Sequence, residues 1–253
     1  MTNSVNPYLI VNPHTQGRFL FTAEHASNRI PSAYSAGDTS FLHTHWAWDI
    51  GVDPLMRHLC ESLDCCGVQS QFSRLWIDAN RAPNQEGLIK ESIDGVPLSF
   101  NQHVSQEERQ RRLTDFHAPY HEAITRMILA HTQPPLFVSL HSFTPVWDGE
   151  LRSMDIGVLF DRDEEVAYAL AEILREDGFF VALNEPYSGK NGLIYAAHRH
   201  GTAQRIPYVE LEFNQSMLSS PERVVSVASR LVDALSRLHE EYGRLLQEKL
   251  SEG

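Results

Sequence analysis

Phe137-Val138-Ser139-Leu140-His141-Ser142-Phe143-Thr144-Pro145 is the stretch that decides how the chain is read. Apolar or small residues run straight into a histidine, and the run breaks at a proline. This is the pattern of a buried strand that delivers the His141 imidazole to the edge of a sheet, where a loop begins. Open α/β sheets keep their sites at such strand ends. His141 is therefore a candidate metal ligand; the alternative is a core histidine satisfied by a backbone carbonyl.

Working outward, Arg18 to Ala23 reads as a first strand ending at Glu24-His25-Ala26-Ser27-Asn28. Between Ile50 and Cys65, Val52, Leu55, Met56, Leu59 and Leu63 recur at helical spacing, and Gly67 follows as a C-cap. Val68 to Phe72 is a short strand, and Leu75-Trp76-Ile77 leads into Asp78-Ala79-Asn80-Arg81. From Ala82 to His103 the chain is rich in Pro, Gly and Asn, a long loop of the kind that is usually functional in a compact domain. Ser105-Gln106-Glu107-Glu108 forms a capping box for a helix to about His131, in which Pro119 predicts a kink or a break. Asp155 to Phe160 is a short strand, Glu164 to Asp177 a helix ended by Gly178, and Phe179 to Leu183 a further strand. A glycine-punctuated loop runs from Asn184 to Gly192. Tyr208 to Phe213 alternates apolar and acidic residues, a strand with one polar face. A long helix from Pro221 to about Leu250 closes the chain. No repeat or Gly/Ser linker interrupts this alternation. Residues 1–253 are expected to form a single α/β domain, a three-layer α/β/α fold around a mixed, mostly parallel sheet.

At 253 residues the chain can bury a core without disulfides or structural metals. A formal net charge of −12 argues against a nucleic-acid partner and against an anionic membrane surface. A local arginine cluster can still attract a small anionic substrate. The three cysteines, Cys60, Cys65 and Cys66, are odd in number, tightly clustered and lack a C-x-x-C spacing, which fits a reduced cytoplasmic chain. No apolar run approaches the length of a membrane span, and Met1 to Pro7 lacks a basic-then-apolar signal. Thirteen histidines is the unusual count, so the question is which of them sit at strand ends.

Four clusters stand out once strand ends are marked: Glu24-His25-Ala26-Ser27-Asn28-Arg29; His45-Trp46-Ala47-Trp48-Asp49; Ser73-Arg74 with Asp78-Ala79-Asn80-Arg81; and His141-Ser142 with Glu210 and Glu212. Two histidines and one carboxylate with an open position make a hydrolytic zinc site, and a free glutamate nearby serves as general base.

These clusters belong to a longer series of motifs: Glu24-His-Ala-Ser-Asn-Arg-Ile-Pro31, Trp48-Asp-Ile-Gly51, Ser73-Arg-Leu-Trp-Ile-Asp-Ala-Asn-Arg81, His141-Ser-Phe-Thr-Pro-Val-Trp-Asp-Gly149, Gly157-Val-Leu-Phe-Asp-Arg-Asp163, Asn184-Glu-Pro-Tyr-Ser-Gly189 and Arg199-His-Gly201. In order and spacing, from about Phe19 to Gln215, the series resembles the N-formylglutamate amidohydrolases, distant relatives of the zinc carboxypeptidases and aspartoacylase. The resemblance implies a phosphorylase/hydrolase-like fold and one zinc ion (Zn2+) per chain. It also implies a small-molecule substrate, an acidic N-acyl amino acid such as N-formylglutamate. Its metal imidazoles would be His25 and His141. The wider superfamily has an acidic ligand three residues after the first histidine, where this chain has Asn28. The carboxylate then comes from elsewhere: Asp49, with Glu24 as the alternative. Asp49 also suits an N-cap of the following helix. By the same resemblance Asn80 and Arg81 hold the substrate carboxylate, Arg74 polarises the scissile carbonyl, Glu212 is the base and His200 binds substrate or stabilises the transition state. Asp78 with an arginine can instead be a structural ion pair at a turn. Glu210 and Glu212 share a strand face, so spacing does not separate them. His198 is a weaker candidate than His200, and His45 reads as structural. Lys190 is either a cation for a second carboxylate or a solvated loop lysine. A carboxypeptidase, another amide hydrolase on the same metal, and a degenerate binding module are the competing functions.

Overall fold

The computed structural model describes residues 6–34 and 39–251. The chain runs through β1 (Tyr8–Val11), β2 (Phe19–Ala23), α1 (Val52–Ser62) and β3 (Cys66–Ser70), then a long loop carrying the small hairpin β4 (Ser92–Ile93) and β5 (Val96–Pro97). It continues through α2 (Gln106–Arg112), a π-helical turn (Leu113–His117), α3 (Ala118–Ala130), β6 (Leu136–Phe143), a second hairpin of β7 (Val146–Trp147) and β8 (Glu150–Leu151), and β9 (Ile156–Leu159). Then come α4 (Glu164–Glu176), β10 (Val181–Leu183), α5 (Tyr195–Gln204), β11 (Tyr208–Asn214) and α6 (Pro221–Ser251).

Seven strands form one sheet in the order β1-β3-β2-β6-β11-β9-β10. The run from β3 to β11 is parallel; β1 joins antiparallel to β3, β9 antiparallel to β11, and β10 parallel to β9. This is the mixed, mostly parallel sheet expected from the sequence. The chain passes from β2 to β3 on one side and later returns to β6 on the other side of β2. A crevice opens at the carboxyl ends where neighbouring connections diverge in this way.

Side-chain parity divides the core into two layers. Phe19 and Phe21 of β2, Val138 and Leu140 of β6, and Leu211 and Phe213 of β11 pack with α1, α4 and α6. Leu20, Phe137 and Tyr208, one residue out of phase with those, pack with α3, α5 and the loop residue Trp76. Strand periodicity carries the second parity on to Thr22, Ser139, His141, Glu210 and Glu212. The apolar faces hold the sandwich together, and the opposite face becomes polar as the strands reach their carboxyl ends.

Several local expectations change. Gly67 lies inside β3 rather than capping α1; the helix ends at Ser62, and Asp64 takes the left-handed turn at φ 49°. A Cβ on Gly67 would come within 2.8 Å of the Cys60 Sγ, so a close strand–helix approach requires this glycine. Pro119 lies in the first turn of α3, and the interruption expected there is a π-helical turn between α2 and α3. The π turn ahead of it widens the backbone spiral, so the missing N–H and the ring are accommodated within a continuous helical path. The strand bearing His141 extends to Phe143, which places the imidazole inside the strand rather than at the start of the loop. Edge strand β1 and helix α5 were not legible, because one is short and polar-flanked and the other, YAAHRHGTAQ, has little helical periodicity.

Gly157 of β9 lies opposite Glu212, and a Cβ there would sit 2.1 Å from the Glu185 carbonyl oxygen. Gly157→Ala should lower the unfolding free energy by about 1–3 kcal/mol in a urea titration, because the clash is with backbone.

Candidate active site

At the carboxyl ends of β2, β6 and β11 a cleft of about 310 Å³ is lined by residues that lie far apart in sequence. Its floor is built around His25 and His141, both almost fully buried. His25 Nδ1 lies 3.1 Å from His141 Nδ1, His141 Nδ1 lies 2.8 Å from Asp49 Oδ2, and that oxygen is 3.5 Å from His25 Nδ1. Three donor atoms of the types that bind zinc thus converge on one point.

The outward nitrogen of each imidazole is held by a second carboxylate. His25 Nε2 lies 2.7 Å from Asp78 Oδ1, and His141 Nε2 lies 3.0 Å from Glu24 Oε2. Such contacts set the ring orientation and tautomer of a ligating histidine. Glu24 is itself saturated, accepting from Ser139 Oγ at 2.6 Å and Tyr120 Oη at 2.9 Å. Burial alone would raise its pKa, but the hydrogen bonds from His141 and Ser139 hold it down to about 2. Glu24 therefore faces the back of His141, away from the point where the three donors meet.

Asp49 is not the N-cap of α1. That position is Gly51, at φ 86°. The Asp49 side chain instead takes the Ser142 N–H at 3.2 Å and faces Arg74 at 3.3 Å. Burial disfavours its charge, yet His25 and His141 outweigh that and keep it well below the usual carboxylate range.

The next ring of residues comes from the turn after β3. Arg74 spans Asp49 and Asp78, the latter at 3.5 Å, and Arg81 Nε lies 3.4 Å from Asp78 Oδ2. The ion pair expected at this turn is present, and both guanidinium groups also line the cleft. Asn80 lines it as well, but its amide is already engaged: Oδ1 accepts the Ala196 N–H at 2.9 Å and Nδ2 donates to Glu210 Oε2 at 3.3 Å.

Glu210 and Glu212 enter from β11, with Glu212 in register with His141. Burial pushes Glu210 up to about 7, and burial with the neighbouring Asp49 and Glu210 pushes Glu212 well above its ordinary range. The two differ in their partners. Glu210 accepts from Asn80, whereas Glu212 Oε2 is buried with no hydrogen bond. That oxygen is left without a partner among the described residues.

Two sequence candidates lie elsewhere. Lys190 is outside the cleft, its ammonium 2.8 Å from Glu164 Oε1 on the surface. His200 is buried behind the site, 2.8 Å from His121 Nδ1 and stacked on Phe137, because α5 turns it inward. His121 Nε2 in turn bonds the Ala79 carbonyl at 3.0 Å, and His117 Nε2 bonds that of Arg81 at 2.9 Å. These histidines brace the turn that carries Asn80 and Arg81. His198 pairs with Asp161 at 2.6 Å near the surface, while His45 lines the cleft mouth beside Trp46.

Sequence reading missed Asp78 as the orienter of His25, Tyr120 and Ser139 as supports of Glu24, and Lys90, Trp147 and Tyr187 as cleft walls. The parity shared by Ser139 and His141 was a usable signal for one of these. A lone loop lysine carries no such signal.

Residues 17–219 match the model of a protein family described as N-formylglutamate amidohydrolase. The chain belongs to that family. Its reaction class is hydrolysis of an amide. Among solved structures the chain is similar to a gene product of Agrobacterium tumefaciens, at 26% identity and a TM-score of 0.89, covering 94% of this chain and 96% of that one. It is also similar to an N-formylglutamate amidohydrolase from Ralstonia eutropha JMP134, at 20% identity and a TM-score of 0.76, covering 95% and 99%. No curated protein sequence matches the chain. No helix among the described residues is long and apolar enough to cross a membrane.

The histidine brace has a pH signature. Burial lowers His200 from 6.5 to about 3, and lowers His121 well below its ordinary range. Both are neutral in the fold but take up protons in the unfolded chain below about 6.5. Their contribution is thus complete above that pH and is lost as pH falls towards the folded values, at about 1.4 kcal/mol per pH unit for each group. His200→Asn should flatten the acid limb of stability measured by urea unfolding across that window.

Proposed function

We propose that the chain is a zinc-dependent amidohydrolase that removes the N-formyl or N-acyl group from an acidic N-acyl amino acid. The observation that carries this is the convergence of His25 Nδ1, His141 Nδ1 and Asp49 Oδ2 beside the unpartnered Glu212 Oε2. Two imidazoles and a carboxylate fit a zinc ion, and the outward nitrogens are already oriented by Asp78 and Glu24. Family membership and the likeness to the Ralstonia structure support the same reaction class.

Zinc bound by His25, Asp49 and His141 would supply Lewis acidity, acidifying water and polarising the amide carbonyl. Glu212 takes a proton from the attacking water at Oε2 and returns it to the leaving amine nitrogen. Burial, with the neighbouring Asp49 and Glu210, raises its pKa above the ordinary carboxylate range, which strengthens it as a base. Glu210, tied to Asn80, is less free for this work. Arg74 offers positive charge to the carbonyl oxygen as it becomes anionic. Arg81 grips the α-carboxylate through its guanidinium fork, with Asn80 holding the turn in register. The products are a short carboxylic acid and a free amino acid. His200 acts at a distance, through His121 and the Ala79 carbonyl, and touches neither substrate nor metal.

Two variants test this. Glu212→Gln should keep zinc and lower kcat on N-formyl-L-glutamate by about 10²–10⁴-fold; full activity would remove Glu212 as the base. His141→Ala should lose stoichiometric zinc in elemental analysis, and a variant that still binds one equivalent would remove His141 from the ligand set.

A further inference from the structure

The cleft wall carries a third cation besides Arg74 and Arg81. Lys90 lines the same cavity, yet among the described residues no carboxylate lies within ion-pair distance of its ammonium. Arg74 and Arg81 are each matched by Asp78, and Arg74 also by Asp49. Lys90 has no such match.

Its backbone is held on both sides. Leu88 is buried and its carbonyl takes the Asp78 N–H at 2.8 Å, while the Lys90 carbonyl takes Asn101 Nδ2 at 2.6 Å. Asn101 is fixed in turn by the buried Arg112, whose guanidinium donates to Asn101 Oδ1 at 2.6 Å and stacks 3.5 Å from the Trp76 ring centroid. The Lys90 ammonium lies 5.5 Å over Trp46, a cation–π contact that aims the side chain along the cleft wall. This lysine is a built feature of the cavity, unlike a loop residue free in solvent.

Burial, then Arg74 and Arg81, lowers the Lys90 pKa, while Asp78 and Asp94 pull the other way from beyond contact distance. Clustered like charges in a partly buried wall destabilise one another until an anion joins them. A ligand with a single carboxylate satisfies Arg81 and leaves Lys90 unmatched. A ligand with two carboxylates satisfies both.

We propose that Lys90 receives the second carboxylate of a dicarboxylic N-acyl amino acid and so sets the preference for acidic over neutral substrates. This rests on the N-acyl amino acid reading above and assigns to Lys90 the task that the sequence offered to Lys190.

The test compares N-formyl-L-glutamate with N-formyl-L-glutamine, an isosteric pair that differs in the distal charge, on zinc-loaded protein. Wild type should favour the glutamate by about tenfold or more in kcat/KM, the scale of one charge-assisted contact. Lys90→Met should abolish that ratio, Lys90→Arg should restore most of it, and Lys190→Met, with the same loss of charge outside the cleft, should keep it. Thermal unfolding of each variant excludes misfolding as the cause. A ratio preserved in Lys90→Met, or a wild type that treats both substrates alike, overturns the proposal while leaving amide hydrolysis standing. If neither compound is turned over, the function reading fails, and calorimetric titration with L-glutamate and L-glutamine decides Lys90 separately. Tighter glutamate binding in wild type but not in Lys90→Met supports the site; equal binding overturns it.

Discussion

The contact between Glu24 and His141 constrains everything around it. Glu24 is wholly buried and His141 nearly so, and a carboxylate out of reach of water is tolerated only when each of its oxygens is satisfied. Ser139, Tyr120 and His141 do this from β6 and α3. Their contacts require β2 and β6 to pair in a register that sets Thr22 beside Ser139, as observed. A one-residue slip would turn every polar group of this face into the apolar layer under α1, α4 and α6. The same register that builds the core thus aims His141, and β11 then brings Glu212 alongside it.

Similar carboxylates take different roles because their surroundings differ. Glu24 is held ionised by donors on all sides, and Asp49 and Asp78 by imidazoles and guanidinium groups. Glu210 and Glu212 receive fewer donors, so burial dominates and raises them. A site with both kinds of carboxylate can hold a cation and move a proton at neutral pH. Arg74 neutralises Asp49 and Asp78 while remaining partly open to the cleft.

Support for the cleft comes from buried polar groups outside it. Arg112 donates to the carbonyls of Trp76 and Phe100 and to Asn101, pinning the long loop after β3 against α2. His117 and His121 hold the carbonyls of Arg81 and Ala79. The loop is long but densely bonded, so its arginines and Lys90 present a fixed array of charge rather than a mobile one.

Strand and helix periodicity determined the layered α/β class, most elements, the strands that carry His141 and Glu212, and the strand that ends just before His25. The ordered motifs carried the family. These are local or pairwise properties, written in spacing that one segment can display alone. Asp49 was ambiguous between cap and site until Gly51 took the cap and the register of β6 brought Ser142 and His141 to its carboxylate. Glu210 and Glu212 share a strand face, and the Asn80 contact of one and the unpartnered oxygen of the other separate them. Lys190 was the lysine singled out in the sequence and Lys90 was not; folding paired Lys190 with Glu164 and set Lys90 over Trp46 in the cleft. Such choices depend on which distant groups share a buried volume. That is decided when the sheet closes its register, because a side chain's partners and solvation exist only in the assembled fold.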